Sequence, residues 1–182
     1  TSERRFYQKI TDIYATSVDY DKDHPLTKEF FATVQNKVHY AIHGQTAAEV
    51  IQSRADSDLS NMGLTNWEGA RIRKSDVSIA KNYLNEEELR ALNNLVEQYL
   101  IFAEGQAERR VAMTMQDWIT KLEGFLTLND REILQNAGKV SAQLAKTYAE
   151  EEYDKFHSRE DRALESDFDR MVKQLPPPKD KP

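Results

Sequence analysis

Gln35, Asn36, His39 and His43 form a run of neutral polar side chains inside the segment FFATVQNKVHYAIHGQTAAEVIQSRAD, Phe30 to Asp56. Elsewhere the corresponding exposed helix faces carry Lys, Arg, Glu and Asp. At about 100° per residue, Gln35, His39 and His43 fall on one line of a helix, with Asn36 and Tyr40 just beside it. Amides and imidazoles are costly to bury unpaired, so the strip either satisfies itself or receives a ligand. Two chemistries fit a ligand. Histidines at i, i+4 can share a metal ion, with His39 and His43 as ligands. Alternatively, His39 acts as general base, Asn36 and Gln35 orient a substrate, and Lys37 or Arg54 balances phosphate charge. Asn36, Lys37 and His39 are then the candidate catalytic residues. The zincin pattern is incomplete, because Tyr40, Ala41 and Ile42 separate the histidines. A third ligand would come from Glu49, Asp56 or the Asp19–Asp23 loop. Hydrogen bonding within a packed core explains the same strip with no ligand at all.

Other candidates carry simpler explanations beside the chemical ones. Glu49 stands at the fourth position of T-A-A-E, where a capping box accounts for it. Asp19, Asp21 and Asp23 have the alternate spacing of a calcium loop, but His24 occupies the glycine position and Phe30 the final glutamate position. Arg71, Arg73 and Lys74, followed by Lys81, make a concentrated basic patch near Trp67 and Tyr83. A phosphate or single-stranded nucleic-acid contact through Trp67, Arg71 and Arg73 fits it, and so does a solvated loop. There is no Gly-rich phosphate loop and no serine in a nucleophile elbow.

The elements that must position these residues are helices. Phe6, Ile10 and Ile13 recur at helical spacing, predicting a helix over about Ser2 to Thr16. A second is expected from Thr27, with Phe30, Phe31, Val34, Val38, Ala41 and Ile42 on its apolar face and Gly44 as its stop. Thr46 opens a third, reaching about Ala55. The pattern then fails from Asp56 to Lys74, a long irregular connection with Trp67 as its anchor. A short helix is expected from Ser75 or Asp76 to Leu84, and a long one from Asn85 with Glu88. Thr114 and Asn129 start two more. After Gly138 the spacing of Val140, Leu144 and Tyr148 predicts a charged helix. The last helix, from about Ser158 to Leu175, has a narrow seam of Leu164, Phe168, Met171, Val172 and Leu175, suited to packing against one other helix.

The expectation is therefore an all-α bundle of about seven to nine helices. It divides into a helical domain over 1–157, a packing or oligomerisation helix over 158–175 and a disordered Pro-rich tail over 176–182. Of the 182 residues, 39% are hydrophobic and 31% charged, with a formal net charge of −6, which argues against a general polyanion binder. With no cysteine, disulfides, thiolate zinc sites and cysteine nucleophiles are excluded. The longest apolar runs fall far short of the roughly 20 residues a membrane span needs, so no membrane partner is expected. No particular cofactor is indicated. The chain opens at Thr1 and goes straight into a helix pattern, which reads as a piece of a longer protein.

The phrases ERRFYQKITDIYATSVDYD, FFATVQNKVHYAIHGQTAAEVI, NMGLTNW, DVSIAKNYLNEEEL and MTMQDWITKLEGFL occur in this order. Together they resemble the RhuM-type virulence protein family of bacteria, over about Glu3 to Phe156. The resemblance implies the C-terminal region of a cytoplasmic bacterial protein whose N-terminal part resembles a helix-turn-helix DNA-binding module. DNA would then be met through that absent part, and this domain would act as an effector or homo-oligomerisation unit. The family supplies no catalytic residues to transfer. A rival from another class is a nucleic-acid- or nucleotide-acting enzyme, of toxin or phage-defence nuclease type, using the strip on the second helix.

Overall fold

The computed structural model describes Gln8, Thr11, Asp12 and residues 14–175, with Leu26 described by its backbone alone. Among the described residues all regular structure is helical. The helices are α1 (Pro25–His43), α2 (Ala47–Arg54), α3 (Glu86–Glu108), α4 (Met115–Leu128) and α5 (Ala142–Gln174), with single 3₁₀ turns at Ser60–Gly63 and Ala80–Tyr83. The helix expected over Ser2 to Thr16 lies largely outside the described residues, as does the whole tail over 176–182; Gln8, Thr11, Asp12 and Tyr14 are helical.

Side-chain caps decide where three of these helices begin. Thr46 with Glu49, Asn85 with Glu88 and Thr114 with Asp117 each form a complete capping box. In each, two otherwise orphaned N–H groups are satisfied reciprocally. α1 starts earlier than expected, at Pro25, whose missing N–H costs nothing in a first turn. Thr27 instead turns its hydroxyl back to the Asp21 carbonyl. Gly44 ends α1 with a φ of +76°, the left-handed conformation that glycine adopts without strain.

Five helices among the described residues replace the about seven to nine expected from periodicity, for three physical reasons. First, the expected helix over Ser75–Leu84 is a set of turns closed by one 3₁₀ turn. Its carbonyls are taken by side chains: Asn82 Nδ2 donates to Asp76 O and the Tyr83 hydroxyl to Val77 O. Second, Asn129 closes α4 rather than opening a new helix. Asp130 turns left-handed at φ 56°, and the N–H groups of Asp130 and Arg131 return to Thr127 and Leu126. This is the Schellman pattern, and it leaves residues 131–141 irregular. Third, Ser158 starts nothing. Its hydroxyl bonds back to the Asp154 carbonyl, so the two expected C-terminal helices are one of 33 residues.

The core joins the buried face of α1 (Phe30, Val34, Val38, Ala41) to Leu92, Leu95 and Tyr99 of α3 and Trp118, Leu122 and Leu126 of α4. Tyr14 stands edge-on to Phe30 at 4.3 Å, and its hydroxyl lies 3.3 Å from that of Tyr99. α2 packs chiefly on α5, where Ala145 and Ala149 are fully buried. The first half of α5 also seats the irregular connection over 56–74. Glu152 accepts from the buried Ser57 N–H at 2.8 Å, Tyr148 donates to the Ala55 carbonyl, and Arg159 bridges Ser57 O and Asp58.

Beyond Arg159 the helix leaves the body, and every residue from Glu160 to Leu175 is exposed. The seam of Leu164, Phe168, Met171, Val172 and Leu175 is between 48% and 68% exposed, with no neighbouring element over it among the described residues. No described helix is long and apolar enough to cross a membrane.

Candidate functional site

α1 carries the neutral polar strip, and its side chains diverge into different surroundings. His39 is buried, and its Nδ1 lies 3.0 Å from His43 Nε2. Burial, and then the neighbouring His43 ring, push the His39 pKa down to about 3. Burial also brings His43 down to about 4; Glu88 opposes that shift and Arg54 assists it. Both imidazoles are therefore neutral around pH 7. His43 Nδ1 is buried with no hydrogen-bond partner among the described residues. No group of three His, Asp or Glu able to hold a metal ion gathers among those residues. Glu49, one of the possible third ligands, is committed elsewhere. Burial pushes its pKa up, but the N–H groups of Lys139 and Thr46 hold its carboxylate below the usual range.

Of the cations expected to meet phosphate, Lys37 and Arg54 are engaged. Lys37 is buried, donates to the Leu134 carbonyl at 2.8 Å and pairs with Glu123 at 3.0 Å. It ties α1 to α4 and to the irregular segment after it. Arg54 grips Glu88 through two hydrogen bonds of 2.6 and 2.8 Å and also donates to Tyr83 O. That guanidinium holds the Glu88 carboxyl down at about 2. Lys74 pairs with Asp154 across the surface, while Arg71 and Arg73 are exposed on the irregular connection.

Gln35 and Asn36 behave differently: they face an open cleft of about 1040 Å³. α1 forms one wall with Ala32, Gln35 and Asn36, and α2 adds Ala47 and Ile51. Opposite lie the Asn66–Gly69 turn with Trp67, the Asp76–Asn82 segment and the start of α5 at Ser141. Of the expected site residues, Gln35, Asn36 and Trp67 therefore share one cavity. Lys37, His39, His43, Arg54, Arg71 and Arg73 do not line it. Asn66, Ser78 and Asn82 line it without having been singled out from sequence. For Ser78 a signal was available in V-S-I, where a hydroxyl stands between two apolar residues.

A family model described as the virulence protein RhuM family matches residues 1–164. The chain belongs to that family. No curated protein and no solved structure matches it. The RhuM match contains the whole cleft and the histidine pair. It stops at the first residue of the exposed seam, while α5 continues to Gln174.

Proposed function

We propose that this chain is a self-associating helical module of a RhuM protein, pairing through the distal half of α5 with a second copy of itself. The observation that carries this reading is the bare seam. Leu164, Phe168, Met171 and Leu175 follow the alternating four- and three-residue steps of a coiled-coil d-a-d-a series. A helix half with such a seam gains little from propensity alone and needs a packed face.

Charge placement selects the partner's direction. In a parallel pair Asp161, at the preceding a position, would face the same residue of the second copy. An antiparallel pair sets Leu164 against Leu175 and Phe168 against Met171, and moves the Asp161 carboxylates to opposite ends. Pairing two copies would also join two of the DNA-binding parts that the RhuM resemblance implies, raising their effective affinity for DNA through multivalency.

Light scattering on the full chain and on a chain ending at His157 tests the proposal. The full chain is expected as a dimer and the shortened one as a monomer; two monomers would overturn it. With no native cysteine, direction is read by disulfide crosslinking. Mixed Leu164→Cys and Leu175→Cys chains are expected to crosslink to each other, whereas Leu164→Cys chains crosslinking among themselves would contradict the antiparallel arrangement.

A further inference from the structure

We propose that the cleft between α1, the Trp67 turn and the start of α5 binds a nucleobase, presented by a free nucleoside. Its polar lining is mostly uncharged, with Glu68, Asp76 and Lys81 as the charged members, and the neutral side chains have hydrogen-bonding capacity to spare. Gln35 is half-buried and its amide has no partner among the described residues. Asn36 Oδ1 accepts from the Ala47 N–H at 3.2 Å, which fixes its orientation and leaves the Nδ2 donors open. The hydroxyl of half-buried Ser78 is likewise unpartnered among the described residues. Neutral donors and acceptors set in an apolar frame of Ile51, Ile79 and Val140 do not select a polyanion. They suit a ligand that presents donors and acceptors side by side without charge.

Trp67 decides between ligand shapes. It is the half-buried indole of the cleft wall, and an aromatic face stacks planar heterocycles of any base type. Paired amides read the donor–acceptor edges of such rings in a single plane. The volume admits a nucleoside and lies near the upper end of the roughly 300–1,000 Å³ seen for small-molecule sites. The proposal concerns binding and includes no chemical step. It stands apart from the pairing of α5, because no residue of the seam lines the cleft.

The test uses the full chain and its own reporter. The chain has two tryptophans, and Trp118 is only 2% exposed, so quenching by an added nucleoside reads Trp67. Adenosine, guanosine, cytidine and uridine are titrated separately, with ribose as the sugar control and calorimetry alongside. At least one nucleoside is expected to saturate with a Kd below about 1 mM. Gln35→Leu and Ser78→Ala are each expected to weaken it about tenfold, the effect of one lost hydrogen bond, at unchanged melting temperature. Absence of saturation with all four nucleosides would overturn the proposal. Equal binding of ribose, or full affinity in both variants, would overturn it too.

Discussion

The two halves of α5 read alike in sequence, yet they live in opposite surroundings. Both place apolar residues three and four apart among charges. The first half buries Ala145, Ala149 and Glu152 and holds the irregular connection through Tyr148, Glu152 and Arg159. The second half meets no other element among the described residues, and its larger side chains, Phe168 and Met171 among them, are exposed. Small residues let the first half come close to α2, whereas the second half carries large ones at coiled-coil steps. One continuous helix is thus core at one end and exposed at the other.

Breaking the seat of the first half is expected to have the largest effect on stability. Gly63 sits at φ +81° against the Arg54 carbonyl, and an added Cβ would collide with that backbone oxygen. Gly63→Ala is expected to cost about 3 kcal/mol in chemical denaturation. Next comes Glu152→Ala, which leaves the Ser57 N–H buried without its acceptor. A loss of about 2 kcal/mol is expected, with faster proteolytic cleavage near Ser57. Pairing through the seam should persist in both variants under conditions where they stay folded, and its disappearance there would mean the two halves are coupled.

Acid is expected to act on the body through the buried histidines. Their folded pKa values, about 3 for His39 and about 4 for His43, lie below the ordinary 6.5. The unfolded chain therefore binds more protons in that window. Stability is full above pH 6.5 and is lost as pH falls toward 3. Denaturant midpoints measured across this range should fall, and His39→Gln should make the fall shallower. The smallest effect on folding belongs to the second half. Phe168→Glu is expected to change the stability of the single folded chain by less than about 0.5 kcal/mol, because among the described residues of that chain nothing packs on the ring.

The helix starts at Ala47, Glu86 and Met115 could be read from sequence because their signals are local. A Thr or Asn and an acidic residue three positions on satisfy each other wherever the chain goes. The ends were harder. Asn129 suits a helix start and a helix end equally, and the left-handed turn at Asp130 decided between them. Ser158 resembles a cap until its hydroxyl is seen bonded one turn back. The neutral strip was visible as an anomaly, but its division was not. Whether an imidazole meets another imidazole or an amide meets a cleft depends on elements far along the chain. The Trp67 turn and the start of α5 complete the cleft from 31 and 106 positions beyond Asn36.

Pairing through the distal half of α5 is tested most directly by sedimentation equilibrium of the wild-type chain beside Phe168→Glu. The wild type is expected at twice the 21.1 kDa chain mass and the variant at that mass once, with equal helix content by circular dichroism. Identical masses for the two proteins would contradict the account.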